Sequence, residues 1–394
     1  MIKRLIAISL LSAGSVAAGP AAWVSAPLFD MEPLELKLGT FTDTPGANVL
    51  VMALTNDGTN NNLYAIDVPP PYDGTGVSSG MLDSGAVFAL GDMCLVDEII
   101  IEPYIKDFDI KIGRYNGAWS NFTIPQSVAH SFTTTDCVLT ADGLFVSGQD
   151  FDDGNIVVFR STDRGLSFDW YGTFGDGEIG GPFGGGVKNQ LVSHGRTSSD
   201  VTSLQQRTDG HMQATHFRTD LPSPGMFMSE TFLPLLALTT FIDLRESSAS
   251  LGDSGINFVF NGDGQTIVAQ FPFTTPLVPE TWVLGPVNSS SKYSFQDAAV
   301  VSFGGLRIHA AQSSYYRVGD GPAPVVENNY PNANIGGPAD GCRIDDHPAG
   351  YDTVAMYALP RVGSPGIDLM TFTDLSDQIF AGKFETTLPT YYCF

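Results

Sequence analysis

The sequence predicts an all-β protein: a single β-propeller in which six or seven four-stranded antiparallel blades close into a ring. Three observations lead to this prediction. The stretch at 136–174 holds four short alternating runs separated by tight-turn residues, which is the pattern of one small antiparallel sheet. Pairs of similar runs recur at starts 45 to 57 residues apart, while helical periodicity is almost absent. Because such small sheets cannot cover their own apolar faces, we expect circular stacking to bury them.

The four runs of this clearest unit lie between short turns rich in Asp and Gly. Asp142-Gly143 separates the first two runs, and Asp153-Gly154 lies in the turn after the second. Gly adopts the left-handed backbone of a tight turn without steric cost, and Asp hydrogen-bonds within its own turn. The unit therefore predicts four strands, at 137–140, 144–147, 156–160 and 169–174.

The segment before this unit repeats it at a constant offset of 43 residues. Four identities share that offset: Cys94, Asp107, Phe108 and Asp109 precede Cys137, Asp150, Phe151 and Asp152. Four identities at one offset are not expected by chance, so the two segments are interpreted as equivalent blades. We expect the two Asp-Phe-Asp sequences to form equivalent turns, with each Phe in the core of its blade.

The same hairpin pattern recurs seven times. Each copy consists of an apolar run, a polar turn and a second apolar run. Seven hairpins predict seven blades, unless the first or last hairpin shares a blade with the other terminus. The hairpins lie at 49–67, 99–114, 144–160, 201–218, 256–271, 306–318 and 353–372.

Between the third and fourth runs of the clearest unit lies the sequence STDRGLSF, at 161–168. Its Ser161, Asp163, Gly165, Ser167 and Phe168 fit the pattern Ser/Thr-x-Asp-x-Gly-x-Ser/Thr-Trp/Phe, which resembles the Asp-box, or BNR repeat, of sialidase-like β-propellers. The resemblance implies a structural turn away from any substrate. The Asp163 carboxylate would accept backbone N–H groups, Gly165 would take a positive φ, and Phe168 would pack beneath the hairpin. Since sialidases have six blades, it also keeps six as the alternative to seven.

The first 18 residues have the features of a secretory signal. Lys3 and Arg4 precede a short apolar run, and small residues follow up to Ala18, where we expect cleavage. We assign 19–46 to a segment joining the ring, 47–376 to the propeller and 377–394 to a C-terminal tail. The tail sequence IFAGKFE resembles short endings of secreted Gram-negative proteins. We therefore expect a bacterial protein that is secreted or periplasmic.

The chain carries a formal net charge of −24, from 43 acidic and 19 basic residues. Such a surface repels nucleic acid and anionic lipid, so we expect neither as a partner. Beyond the signal, no apolar run is long enough to span a bilayer. We expect no cofactor, and we take a monomer as the default state.

Four cysteines lie beyond the signal, an even number for an oxidising compartment. Three pairings are possible. Cys94 and Cys137 occupy equivalent places in successive units, so we expect them to be bonded across neighbouring inner strands. That leaves Cys342 to pair with Cys393 and hold the C-terminus. No C-x-x-C pair or histidine cluster lies nearby, and the Asp-rich turns lack EF-hand spacing, so we expect no metal site.

The sialidase resemblance implies what an active enzyme would need: an arginine triad, a tyrosine nucleophile with a glutamate partner, and an aspartate acid/base. It also implies an early Phe/Tyr-Arg-Ile-Pro motif, which this sequence lacks. Arg196, Arg245 and Arg343 are candidates for a triad, and catalytic residues are left unassigned. The histidines at 194, 211, 216 and 309 show no metal-protease spacing, so we expect scattered structural residues.

The leading hypothesis is a secreted, non-catalytic propeller that recognises a glycan or an extracellular protein through one mouth of its ring. Long loops on a rigid scaffold tend to carry binding residues, and the predicted ones lie at 175–188, 221–232 and 319–348. The alternative is an exported glycoside hydrolase of sialidase-like architecture. A third hypothesis is a structural envelope component. A flat aromatic mouth would favour binding, whereas Arg, Glu and Tyr converging in a deep pocket would favour the enzyme.

Overall fold

The computed structural model of the protein shows a ring of small antiparallel sheets. It describes residues 22–40, 48–175, 190–194, 197–206, 212–222, 228–233, 242–252, 255–262, 265–272, 280–286, 298–303, 306–311, 314–318, 325–329, 340–347, 351–361 and 364–373. Nearly all regular structure in these residues is β, apart from a 3₁₀ helix at Pro125–Ala129. Within them, no helix has the length and apolar composition needed to cross a membrane.

The strands are numbered in chain order and grouped by blade. The chain begins with β1 (Ala22–Phe29). Blade 1 contains β2 (Pro33–Thr40), β3 (Val49–Asn56), β4 (Asn61–Val68) and β5 (Ser78–Gly85). Blade 2 contains β6 (Val87–Leu90), β7 (Cys94–Val96), β8 (Ile99–Lys106), β9 (Asp109–Tyr115) and β10 (Trp119–Thr123). Blade 3 contains β11 (Phe132–Thr140), β12 (Gly143–Asp150), β13 (Ile156–Ser161) and β14 (Asp169–Phe174).

The remaining blades have the same plan. Blade 4 contains β15 (Gln190–Ser193), β16 (Asp200–Gln206), β17 (Met212–Arg218) and β18 (Met228–Leu233). Blade 5 contains β19 (Ile242–Gly252), β20 (Gly255–Gly262), β21 (Gln265–Pro272) and β22 (Glu280–Pro286). Blade 6 contains β23 (Ala298–Phe303), β24 (Leu306–Ala311), β25 (Ser314–Val318) and β26 (Val325–Asn329). Blade 7 contains β27 (Asp340–His347), β28 (Tyr351–Pro360), β29 (Ile367–Thr373) and, from the start of the chain, β1.

The described residues form seven sheets, so the propeller has seven blades rather than six. Each of the seven predicted hairpins forms the second and third strands of one blade. The first strand of every blade is innermost, and inner strands contact one another in the order β2, β6, β11, β15, β19, β23, β27 and back to β2. The ring is therefore closed.

Closure joins the two ends of the described chain. Strand β1 pairs antiparallel with β29 and completes blade 7, and β2 then becomes the inner strand of blade 1. The segment at 19–46, expected only to join the ring, thus contributes strands to two blades. Two of the predicted long loops also contain strands, β18 in one and β26 and β27 in the other. Residues 176–189, most of the third, lie outside the described part.

The core lies between blades, because both faces of the sheet are buried in blades 1 to 3. Along β3, Val51 packs with blade 7, whereas its neighbour Leu50 packs with blade 2. Along β12, Val146 packs with blade 2, whereas Phe145 packs with blade 4. Side chains of a strand alternate between faces, so a strand covered on both sides needs a continuous apolar run. Each such buried side chain contributes roughly 1.5–3 kcal/mol of transfer free energy.

A disulfide joins the inner strands of blades 2 and 3. The bonded residues are Cys94 and Cys137, whose Cα atoms are 6.2 Å apart. This is the pair that the 43-residue offset predicted. The predicted Cys342–Cys393 bond lies outside the described part of the structure, since neither side chain is described.

The turn at 161–168 has the contacts that the Asp-box pattern predicted. The Asp163 carboxylate accepts hydrogen bonds from the backbone N–H of Leu166 and Ser167 and from the hydroxyls of Ser161 and Ser167. Burial acts to raise the pKa of Asp163, but these hydrogen bonds together hold it below its usual value. Gly165 has φ +72°, and a Cβ there would lie 2.5 Å from Ile101 of blade 2.

Phe168 and Arg164 connect this turn to the neighbouring blade. Phe168 is buried in the cluster between blades 2 and 3, and Arg164 forms an ion pair with Asp97, in the first turn of blade 2. The motif is therefore a structural link between blades.

Removing the disulfide with Cys94→Ala/Cys137→Ala should lower the free energy of unfolding by about 3–4 kcal/mol. The bond closes a segment of 43 residues in sequence separation, and the chain-entropy model assigns that stabilisation to a loop of this size. Urea denaturation of the exported protein measures the change. An unchanged midpoint in the double variant would show that ring closure alone restrains these strands.

Asp163→Ala should lower the free energy of unfolding by about 1–3 kcal/mol, because it leaves backbone and hydroxyl donors without their acceptor. Thermal or urea unfolding measures the loss, and Asp153→Ala, in a turn of the same blade, is the control. Ligand affinity should not change. A variant with a native melting temperature and abolished binding would contradict the structural role of this turn.

Candidate functional site at the mouth of the ring

One face of the ring collects three kinds of connection. Because successive strands are antiparallel, the inner strands begin at the same face as the turns between the second and third strands. We call this the entry face. Its described parts include the turns at 57–60, 107–108 and 151–155, the connection at 124–131, and the first residues of β2 and β6.

Large apolar side chains are exposed on this face. Phe108 is 53% exposed and Phe151 is 56% exposed, each in the turn between the second and third strands of its blade. Phe88, at the start of blade 2, lies with its ring centroid 5.2 Å from that of Phe108. We call Phe88, Phe108 and Phe151 the aromatic rim. Leu34 and Val128 add further exposed apolar surface on the same face.

The prediction that Phe108 and Phe151 lie in blade cores is wrong. In a two-strand hairpin, the side chain of a turn residue beyond the last paired position has no neighbouring sheet to cover it. Lys106 pairs with Asp109, so Asp107 and Phe108 are the whole of one turn. Equivalence of the two turns does hold, but it places both rings at the surface.

Two backbone hydrogen bonds connect the turns of blades 2 and 3. The Phe132 N–H donates to the carbonyl of Phe108 at 2.8 Å, and the Phe151 N–H donates to the carbonyl of Ser131 at 2.7 Å. Ser131 and Phe132 are consecutive, so one short segment holds both turns. The aromatic rim therefore crosses the boundary between two blades on a rigid backbone.

The backbone of the Phe108 turn is strained. Asp107 has φ +55° and Phe108 has φ +66°, so both residues of the two-residue turn are left-handed. Hairpins with this geometry strongly prefer Asn-Gly or Asp-Gly, because a bulky side chain at positive φ collides with its own backbone. An exposed Phe is thus kept at a position that favours Gly. The Asp97-Glu98 turn at the opposite face has the same left-handed pair, with φ +47° and +66°, so it is the exposed ring that distinguishes the Phe108 turn.

Carboxylates surround the rim. Asp107, Asp152 and Asp153 are exposed, and Asp109 is half-exposed. The described cations of the entry face already have partners: Lys106 with Asp83, Lys111 with the Thr123 hydroxyl, His130 with Asp150, and Arg361 with Asp30 and Asp368. The entry face near the aromatic rim therefore carries an excess of negative charge.

Deeper in the ring, carboxylates on the inner strands bind backbone N–H groups of neighbouring blades. The Leu90 N–H donates to Glu35 at 2.8 Å, and the Leu38 N–H donates to Asp340 at 2.7 Å. Asp136 accepts from the Leu191 N–H at 2.6 Å and also from the Asp92 N–H. These bonds link blade 7 to blade 1, blade 1 to blade 2, and blade 3 to both its neighbours. We call Glu35, Asp92, Asp136 and Asp340 the inner carboxylates.

Lys37 provides the positive charge among them. Its side chain is buried and forms an ion pair with Asp92. Burial alone would lower the pKa of Lys37, but the inner carboxylates outweigh it and raise that pKa above its usual value. Burial, followed by the charge of Asp92, raises the pKa of Asp136 to about 8, against the effects of Lys37 and of two backbone donors.

The inner strand of blade 2 is broken beside this cluster. Pro103, in β8, has no N–H, so the ladder to the inner strand cannot continue there, and the strand divides into β6 and β7. The Gly91 N–H donates to the Pro103 carbonyl at 2.8 Å. A Cβ on Gly91 would lie 2.9 Å from the Asp136 Cα, so only glycine permits this close approach of blade 3.

Glu102 lies directly before Pro103 and is fully buried. Among the described residues, neither carboxyl oxygen has a hydrogen-bond partner. Burial raises the pKa of Glu102 well above its usual value. The inner carboxylates Asp92, Glu35 and Asp340 raise it further, whereas Lys37 opposes them. Burial among these carboxylates therefore favours the neutral, protonated form of Glu102.

One aspartate of the repeated turns, Asp150, serves the backbone. Asp150 is buried, accepts the Asp152 N–H at 3.0 Å, and pairs with His130. Among the described residues, no three His, Cys, Asp or Glu side chains are arranged to hold a metal ion.

Two of the four histidines considered above, His194 and His216, lie together in blade 4, rather than scattered as expected. The rings of His194 and His216 have centroids 5.1 Å apart, and their Nε2 atoms contact Thr202 and Asp200 respectively. Burial, then the nearby His216, lowers the pKa of His194 to about 4. Both rings have partners, which fits a structural role. The other two histidines and the candidate triad of Arg196, Arg245 and Arg343 lie outside the described side chains.

Sequence reasoning missed the charged cluster at the centre. Lys37 alternates with leucines in LELKL, a pattern typical of a strand with one polar face, whereas Glu102 interrupts the apolar run IIIEPYI. A single carboxyl within such a run is a signal for a buried charge. The partners of that charge come from blades distant in sequence, so periodicity could not identify them.

The chain is similar in fold to solved β-propellers. Against the BP39L lectin from Burkholderia pseudomallei it has 10% identity and a TM-score of 0.56, covering 88% of this chain and 97% of that chain. Against the Cps50 (Swd1) β-propeller domain from Myceliophteria thermophila it has 9% identity and a TM-score of 0.53, covering 90% of this chain and 100% of that chain. Against AofleA from Arthrobotrys oligospora it has 10% identity and a TM-score of 0.51, covering 91% of this chain and 88% of that chain.

At this identity the similarity shows the fold alone. No family model matches the chain, and no curated protein matches it.

Glu102→Gln should reduce the loss of stability that we expect as pH rises. A folded-state pKa above the unfolded value means that the folded chain holds a proton where the unfolded chain releases it. Glu102 therefore stabilises the fold fully below its unfolded pKa of about 4.3, and this contribution declines as pH rises. Asp136 adds the same trend up to its pKa of about 8.

Urea denaturation between about pH 4 and 9 measures this effect, because each proton released on unfolding changes stability by about 1.4 kcal/mol per pH unit. The Gln variant should have a flatter profile than the wild type, and Glu98→Gln, at an exposed turn, should not. Parallel profiles for wild type and Glu102→Gln would show that Glu102 is ionised in the fold.

Proposed function

We propose that this protein is an exported, non-catalytic β-propeller that recognises a glycan or a protein partner through the mouth at its entry face. The observation that carries the proposal is the aromatic rim. Two of its three rings occupy repeated turns of adjacent blades, and one of these turns is strained to present its Phe. Stability alone favours Gly at Phe108, so the exposed ring is expected to serve recognition.

The inner carboxylates support a non-catalytic role. Glu35, Asp136 and Asp340 accept backbone N–H groups from neighbouring blades, so their oxygens hold the ring together. A general base instead needs an oxygen free to reach a proton of the substrate. The centre of the ring is therefore interpreted as a structural hub, with recognition at its rim.

An exported glycoside hydrolase is the second candidate. Glu102 favours it, because a protonated carboxyl near ionised carboxylates is the pairing that glycosidases use. Glu102 is, however, fully buried, and a sugar cannot contact it without movement of blade 2. We therefore rank hydrolysis below recognition.

Export is part of the proposal and rests on two features. The N-terminal sequence has the pattern of a secretory signal, and the Cys94–Cys137 disulfide suits an oxidising compartment. A similar structure carries the name lectin, and we extend glycan binding to this chain as one of its two proposed ligand classes, on the strength of the aromatic rim.

Phe108→Gly tests the proposal. The wild type should bind members of a panel of immobilised oligosaccharides and peptides, and it should release no reducing sugar from the oligosaccharides. The variant should lose binding and unfold at the same or a slightly higher temperature, because Gly relieves a left-handed strain of about 1–2 kcal/mol. Glycan-array binding, reducing-sugar release and thermal melting give the three readouts.

Leu166→Ala, an exposed apolar residue on the opposite face, is the control. Binding that survives in Phe108→Gly would place recognition elsewhere. Sugar release that disappears in Glu102→Gln would establish the hydrolase instead.

A further inference from the structure

We infer that the aromatic rim and its surrounding carboxylates bind a cationic segment of a partner protein, one that presents Lys or Arg side chains. The inference rests on the proposed recognition function and names the ligand class of the same mouth. It follows from the combination of exposed aromatic rings, carboxylates beside them, and the ion pairs that already hold Lys106 and Arg361 on this face.

The rings of the aromatic rim can attract a cation. Phe108 and Phe151 expose more than half of their surface, and Phe88 packs against Phe108 at a tilted angle of 58°. These exposed fractions leave part of the Phe108 and Phe151 rings open to solvent. An ammonium or guanidinium group within about 6 Å of a ring face is attracted by the ring quadrupole. The aliphatic stems of Lys and Arg can cover the apolar surface at the same time.

Carboxylates lie beside the exposed rings in the sequence. Asp107 immediately precedes Phe108, and Asp152 immediately follows Phe151. Each exposed ring therefore has a carboxylate on a neighbouring residue, and no ion pair involving Asp107 or Asp152 is found among the described residues. A cation over the ring is thus within reach of an anionic partner. The two turns repeat this arrangement on adjacent blades, held together through Ser131 and Phe132.

The two faces of the ring differ in their charged side chains. The described arginines of the third strands and of the Asp-box turn, Arg114, Arg160, Arg164 and Arg218, lie at the face opposite the rim. On the entry face, Lys106 and Arg361 are already in ion pairs, and Lys111 donates to the Thr123 hydroxyl. A cationic partner is therefore guided toward the rim rather than toward the opposite face.

Other occupants fit less well. A second copy of this chain would bring another net charge of −24 against an acidic face, so self-association is disfavoured. A neutral oligosaccharide can stack on the rings and donate hydroxyl hydrogen bonds to the carboxylates, but it leaves the negative charge uncompensated. Charge complementarity favours the cationic segment.

The test uses the full-length exported protein and two fluorescent 12-residue peptides, one alternating Arg and Ser and the other alternating Glu and Ser. Fluorescence anisotropy should show binding of the Arg peptide alone, weakening as salt rises from about 0.05 to 0.5 M. Asp107→Asn/Phe108→Ala should weaken it by about tenfold, since a cation–π contact and an ion pair are both lost. Phe151→Ala/Asp152→Asn, in the neighbouring blade, should have a similar effect.

Asp169→Asn/Trp170→Ala is the matched control. It also removes one exposed carboxylate and one exposed ring, but these begin β14 at the opposite face. Peptide binding should change less than about twofold, and melting temperatures should show that all three variants fold. Equal weakening by the control would reduce the effect to net charge and overturn the inference.

One outcome would contradict only the cationic ligand class, and another would also contradict recognition at the mouth. If an immobilised neutral oligosaccharide binds, is lost in both rim variants, and the Arg peptide does not bind, the cationic ligand class is wrong while recognition at the mouth stands. If rim variants leave every observed binding unchanged, the proposed function at this mouth fails as well.

Discussion

The ring depends on the burial of both faces of a blade against its neighbours, as the described side chains of blades 1 to 3 show. A blade of this size cannot bury enough apolar surface alone, and alternate side chains of one strand belong to two different cores, as Leu50 and Val51 show. This requirement fixes the closure. Strand β1 must reach β29, because an open ring would expose an apolar face of the first and last blades.

Circular packing brings polar groups together at the centre, and the protein uses them for cohesion. Inner-strand N–H groups that face a neighbouring blade need acceptors, and Glu35, Asp136 and Asp340 provide them. The resulting negative charge is moderated by buried Lys37 and by the proton on Glu102. A centre organised in this way is rigid and already satisfied. Recognition is therefore better placed at the mouth, where turns can vary without disturbing the hub.

The Phe108 turn shows the opposite balance. Its left-handed backbone and exposed ring both reduce stability locally, and the sheet behind it holds this geometry in place. The turn at 161–168, at the other face, has left-handed backbone at Arg164 and Gly165, but it buries its Phe168. The turn at 161–168 thus contributes to the stability of the fold. The Phe108 turn instead loses stability and presents an exposed ring for binding.

The sequence by itself determined the repeated hairpins, the turn around Asp163, and the Cys94–Cys137 pairing, because these follow from local alternation, turn chemistry and equivalence between units. It could not decide between six and seven blades, since that depended on β1 pairing with β29 from the far end of the chain. Nor could it show that Glu102 and Lys37 are buried together or that Phe108 and Phe151 are exposed. Periodicity assigns a residue to a face of its strand, but only the neighbouring blade decides whether that face, or the turn beyond it, is covered.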